Sequence, residues 1–230
     1  MRKTDPDDVR NDFAAGLADV VSFYDTAFAA VTGDKDRTLL VEHTFLAAAV
    51  LWEGYVSDLL IAYINRDTTR FRQHLKDALE AGMSTKQKTI YTNYASLSVP
   101  VHIKKGDIIE LVDAGGNNIT FSHFGELIEA ANRWLVPASA GRITGRTAAQ
   151  KASVNAWIAI RNHIAHRSER SGKAMNAALA KGELHGTGLG RVGPNAVNHV
   201  GSFLKSTPVG MQSPRIKLYL DGMSAIAAFI

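Results

Sequence analysis

Trp157-Ile158-Ala159-Ile160-Arg161-Asn162-His163-Ile164-Ala165-His166 is the stretch on which the reading of this chain turns. Wound as a helix at about 100° per residue from Arg161, it puts Asn162 near ~100°, Ala165 near ~40° and His166 near ~140°. Trp157, Ile160 and Ile164 fall together at roughly 260–320°, on the opposite side. One face therefore seats the helix in a core, and another presents Arg161, Asn162 and His166. Small Ala165 between them permits close approach. Val154 and Ile158 flank the polar face, so something apolar is expected to cover it, such as a second subunit.

Helical signals extend outward from this segment. It is expected to run from about Thr147 to near Ser168. Upstream, Asp5-Pro6 supplies an N-cap followed by a proline at the first helical position. Val9, Phe13, Leu17, Val20, Tyr24 and Phe28 then recur at helical spacing until Gly33. A second long helix, about Arg37 to Asn65, carries apolar residues on more than one side and is expected to be central. Thr69–Ala81 predicts a third, stopped by Gly82. Between Ser84 and Asp113 the reading is less regular, with Val99-Pro100-Val101 extended and Gly106 as punctuation. Ala114-Gly115-Gly116-Asn117-Asn118 reads as a turn. Ser122 is placed to cap a helix through Trp134 and Leu135, after which Pro137 and Gly141 are expected to break the chain. Gly182–Gly210 reads as irregular, and Ser213-Pro214 as the start of a last helix. The expected fold class is all-α, an antiparallel helical bundle with an irregular, loop-rich C-terminal extension. Residues 1–170 form the main domain, and 171–230 an extension packing on it.

The 230 residues suffice for one sizeable core, and 46% are hydrophobic. No signal peptide is expected from the charged N-terminus. Glu42, His43, Glu53 and Asp58 interrupt the most apolar stretch, so no membrane span is expected. The absence of cysteine excludes disulfides and thiolate metal sites, and suits a cytoplasmic location. The net charge of +4 conceals an asymmetry. Residues 1–137 carry a net −5, and residues 138–230 a net +9. Arg142, Arg146, Lys151, Arg161, Arg167, Arg170 and Lys173 are opposed locally only by Glu169. This half serves either as a solvated face matched to the acidic half or as a polyanion-binding surface. On the second reading Arg142, Arg146, Lys151, Arg167 and Arg170 are candidate RNA contacts.

Arg161, Asn162 and His166 have the chemistry for metal-independent RNA cleavage. Arginine holds a phosphate with two donors and stabilises charge growing in the transition state. Histidine exchanges protons near neutrality and can serve a ribose 2′-OH or a leaving oxygen. Asn162, four residues before His166, can orient the imidazole or contact phosphate. The same residues also fit a basic pair facing the terminal carbonyls of a helix. Arg37 and His43, six apart at a helix start, are a near-match read as incidental.

Other constellations are weaker. His163 and His166 have metal-ligand spacing without accompanying carboxylates, so no metal and no cofactor are expected. Trp52, Tyr55 and Trp134 occupy apolar helical positions that suit a core. Gly188-Leu189-Gly190-Arg191-Val192-Gly193 spells a Gly-x-Gly-x-x-Gly pattern, but no strand precedes it and Pro194 follows. It reads as a loop, in which Arg191 could still touch a phosphate.

Ile160-Arg161-Asn162-His163-Ile164-Ala165-His166 resembles the Arg-polar-x-x-x-His signature of the HEPN superfamily. Ala49-Val50-Leu51-Trp52-Glu53-Gly54-Tyr55-Val56-Ser57-Asp58-Leu59-Leu60 is similar to an early helix of its RiboL-PSP-like branch. Gly116-Asn117-Asn118-Ile119-Thr120-Phe121 is similar to the connection ahead of the motif helix there. The resemblance spans roughly residues 9–170; residues 171–230 have no counterpart. It implies a helical bundle that dimerises to form a composite site, and endoribonuclease activity without a metal. It further implies a setting in toxin–antitoxin or antiviral defence systems, with an antitoxin protein as a further partner. Arg161, Asn162 and His166 match the motif. Glu53 matches a recurring acidic position, which either supports Arg161 or belongs to a buried polar cluster. Some members bind RNA or nucleotides without cutting, which is the alternative function.

Overall fold

The computed structural model describes residues 3–95, 98–113, 115 and 118–230. Among these the regular structure is helical throughout: α1 (Pro6–Ala30), α2 (Asp34–Arg66), α3 (Thr69–Ala81), α4 (Thr85–Tyr94), α5 (Lys105–Val112), α6 (Phe124–Trp134), α7 (Pro137–Thr144), α8 (Ala148–His166), α9 (Glu169–Leu179), α10 (Val200–Lys205) and α11 (Arg215–Ala227). The chain is all-α.

α1 starts as its sequence dictates, with the Asp5 carboxylate accepting from the Asp7 amide and Pro6 at the first helical position. α1 and α2 form an antiparallel hairpin, since Thr4 bonds Asn65, Arg10 bonds Tyr63, and Phe13 stacks on Tyr55 at 4.5 Å. Arg37 closes the connection by donating to the Val31 carbonyl and lying over the Phe28 ring.

α2 is the central element. Its 33 residues bury Phe45, Trp52, Tyr55, Leu59, Leu60 and Ile64 against helices on several sides. Length and hydropathy alone would let it cross a bilayer, and 61% of that apolar window is buried within the chain. This is what a helix apolar on several sides does when neighbours surround it.

Several readings of the sequence need correction. Residues 85–94 are helical, begun by a reciprocal cap in which Ser84 and Gln87 bond each other's backbone amides. Gly106 lies inside α5, and Gly141 inside α7. Pro137 starts α7 instead of breaking the chain, because its missing N–H costs nothing at a first helical position. His123 rather than Ser122 caps α6; the Ser122 amide donates to Glu126. α9 was not expected and follows α8 after two residues, with its own Ser168–Ser171 cap. The stretch 182–210 includes a 3₁₀ turn (Gly182–Leu184) and α10. The expected Gly116-Asn117 connection lies outside the described residues.

The last sixty residues share the core. Tyr219 of α11 is fully buried and meets Phe45 edge-on at 5.4 Å. Tyr55 donates to the Ala227 carbonyl and Tyr63 to that of Ile230. α11 packs on α1, α2 and α8, and α10 packs on α2.

Candidate functional site

α8 is fixed at both ends before any chemistry is considered. At its start, Thr147 and Gln150 cap one another's amides at 3.1 and 3.0 Å. Along its length, Trp157, Ile160 and Ile164 are buried, as their spacing requires. It ends at Arg167, which adopts a left-handed conformation with φ 49°. A residue other than glycine there costs roughly 1–2 kcal/mol, so something must hold it.

That hold comes from α2. The Arg167 guanidinium donates to Oε2 of Glu42, a carboxylate only 7% exposed whose Oε1 accepts from the Gly201 amide at 3.0 Å. One glutamate thus joins the end of α8, the third turn of α2 and the start of α10. Gly201 has no room for a side chain: a Cβ would lie 2.5 Å from Thr38 Cγ2 and 2.8 Å from Glu42 Oε1.

One stretch further along the same seam, Arg161 Nη2 donates to Glu53 Oε2 at 3.0 Å, and Nη1 donates to Asn162 Oδ1 at 3.0 Å. The neighbouring Trp52 and Trp157 meet edge-on at 4.9 Å and set the helix crossing that brings Glu53 to Arg161. Of the two readings of Glu53, the structure therefore places it against Arg161. Two of the five guanidinium N–H groups are used, and the side chain remains 29% exposed. A phosphate oxygen can reach the others.

Asn162 was expected to orient His166 or meet phosphate; its carbonyl accepts from Arg161 and does not orient His166. His166 is exposed and its imidazole forms no hydrogen bond among the described residues. His163 turns to α9, where its Nδ1 is 3.1 Å from Ser171 Oγ. Burial, then the nearby Arg167 charge, holds the His163 imidazole below the ordinary histidine value, against a smaller opposing pull from Glu42. Among the described residues no three His, Asp or Glu side chains converge as a metal-ligand set.

The five basic candidates do not share one environment. Arg167 is committed to Glu42. Arg146 lies over the Phe229 ring at 5.2 Å. Arg142 lines a cleft of about 570 Å³ with Lys3, Arg10 and Arg66. Lys151 borders another with His123, Asn155 and Lys181. Arg170 is exposed in the first turn of α9.

Glu42 escaped sequence reasoning. A signal existed: Glu42 and Glu53 are eleven residues apart, three turns, so both fall on one stripe of α2. That stripe meets the two arginines of α8.

Comparison with known proteins adds no relative: no family model, curated protein or solved structure matches the chain.

Proposed function

We propose that this protein is a metal-independent endoribonuclease of the HEPN type, acting on RNA through Arg161 and His166. The observation that carries this reading is the Arg161–Glu53 pair. It holds a guanidinium in a fixed orientation at a partly exposed face while leaving donors for a phosphate. In the proposed reaction a ribose 2′-OH loses its proton and attacks the adjacent phosphorus. The P–O5′ bond breaks, the leaving oxygen takes a proton, and a 2′,3′-cyclic phosphate remains. Imidazole chemistry at His166 moves protons, and Arg161 stabilises the charge on the non-bridging oxygens.

A second copy of the chain fits the same face. Leu39 and Val50, 53% and 57% exposed, lie on the flank of α2 beside the Glu42–Glu53 stripe. Ala165 on α8 is exposed as well. In the dimer, each copy would cover the other's apolar flank and bring His166 to a second Arg161. An antitoxin protein is a further candidate for the same surface.

The freedom of His166 favours a second reading, a non-catalytic RNA- or nucleotide-binding module, because nothing among the described residues of one copy orients its ring. Cleavage of a labelled structured RNA in EDTA separates the two. On the first reading wild-type protein leaves 2′,3′-cyclic ends and His166→Ala lowers the rate by about 10²–10⁴-fold. Binding without cleavage supports the second, and cleavage retained by His166→Ala removes the proposed site.

A further inference from the structure

The glycine-rich loop read from the sequence folds against the start of α11 and encloses a cleft of about 340 Å³. The loop is held from two sides. The Arg191 amide donates to the Leu179 carbonyl at 2.9 Å, and the Tyr219 hydroxyl donates to the Leu189 carbonyl at 2.8 Å. Gly188 has φ +78°, and a Cβ there would lie 2.8 Å from Leu218 Cδ1, so only glycine suits this position. The amides of Gly188, Gly190, Val192 and Gly193 have no acceptor among the described residues, and all four residues line the cleft.

Two arginines border the same space without a carboxylate. Arg215 is only 7% exposed; its guanidinium lies over the Phe203 ring at 4.4 Å and bonds the Ser206 hydroxyl, while Nε has no partner. Among the described residues the Arg191 guanidinium bonds only the carbonyls of Pro194 and Asn195, and its Nε is likewise unpartnered. Burial lowers the Arg215 pKa, against a smaller opposing pull from the Tyr219 hydroxyl; no carboxylate contributes. Arg215 is also the first residue of α11, where the helix dipole is positive and a cation is of the wrong sign. A buried charge is ordinarily paired, because leaving it alone in a poorly solvated site is expensive. An anion in this cleft would meet Arg215, Arg191, the positive end of α11 and free loop amides.

We propose that this cleft binds the phosphate group of a small phosphorylated molecule, with Arg215 and Arg191 as its cationic ligands. Val192, Val209 and Met211 give the mouth an apolar wall for the rest of such a ligand. The site is separate from the Arg161–His166 face and does not depend on the ribonuclease reading.

The test is titration of the whole protein with inorganic phosphate, and separately with a nucleoside monophosphate. Thermal unfolding and ³¹P linewidth are the readouts, with sodium chloride at matched ionic strength as the control. Phosphate is expected to raise the unfolding midpoint saturably, and the nucleotide to do so at least as well. Tighter binding of the nucleotide identifies a phosphate ester as the ligand, and equal binding identifies free phosphate. Arg215→Met, which keeps the apolar stem, and Arg191→Gln, at a less buried position, should each weaken binding about tenfold or more. Protection no greater than that given by chloride overturns the proposal. So does wild-type affinity in Arg191→Gln together with any folded Arg215→Met protein.

Discussion

Arginines are treated in opposite ways at two places in this molecule. Along the seam between α2 and α8, Arg161 faces Glu53 and Arg167 faces Glu42. Beside α11, Arg191 and Arg215 have, among the described residues, only carbonyls, a hydroxyl and an aromatic ring. At the seam the charges are matched internally, so the geometry is set before any ligand arrives. At the cleft the matching charge is missing, and stability is left open to an anion. The contrast implies that substitutions at the two places change stability with opposite signs.

The sharpest test is Glu42→Ala. It leaves the buried Gly201 amide without its acceptor and releases the half-exposed Arg167 that holds the left-handed end of α8, and should lower unfolding free energy by about 2 kcal/mol in denaturant titrations. A loss well under 1 kcal/mol would mean that the seam is not internally matched in any useful sense. Arg215→Met should act the other way in phosphate-free buffer, raising stability by roughly 1–2 kcal/mol because a buried, unpaired charge is replaced by apolar volume. A fall instead would break the comparison.

Acidification probes the seam through His163. Its folded-state pKa is depressed by burial and by Arg167, so the folded protein resists a proton that the unfolded chain accepts. Stability from this group is intact above about pH 6.5 and declines as pH falls below it toward the lowered folded value. His74, also depressed by burial, contributes in the same direction. His163→Gln should therefore flatten, without abolishing, the fall in unfolding midpoint between about pH 6.5 and 5. The smallest effect is expected at exposed Arg170. Arg170→Ala should change stability by less than about 0.5 kcal/mol; on the proposed ribonuclease reading it should also reduce the salt dependence of RNA binding by close to one phosphate contact.

Particular residues show where sequence reading succeeds. Asp5-Pro6, Thr69–Ala81 with Gly82, and Trp157, Ile160 and Ile164 behave as their local chemistry predicts. Reading failed at Pro137, Gly106 and Gly141, where punctuation residues sit inside or at the start of short helices. A proline or glycine marks a boundary only weakly when neighbouring helices supply the burial. α4 and α9 were legible in principle from Ser84–Gln87 and Ser168–Ser171, since caps depend on residues close in sequence.

At the candidate site the division has the same cause. Spacing along one helix places Arg161, Asn162 and His166 on a shared surface, because helical geometry is local. The partners of those residues are not local: Glu53 is 108 residues from Arg161, and Glu42 is 125 from Arg167. Asn162 turns to its chain neighbour Arg161 rather than to His166, and the same guanidinium reaches Glu53 across the seam. The cleft beside α11 is more extreme. Its glycines announce a loop, but its electrostatic character depends on Arg215 being buried without a carboxylate, 24 residues further on from Arg191. Helical class, caps and core faces were determined by the sequence alone, through interactions spanning a few residues. Which charges are matched, and which are left waiting, was decided by tertiary packing, which brings distant side chains together and excludes the water that would otherwise equalise them.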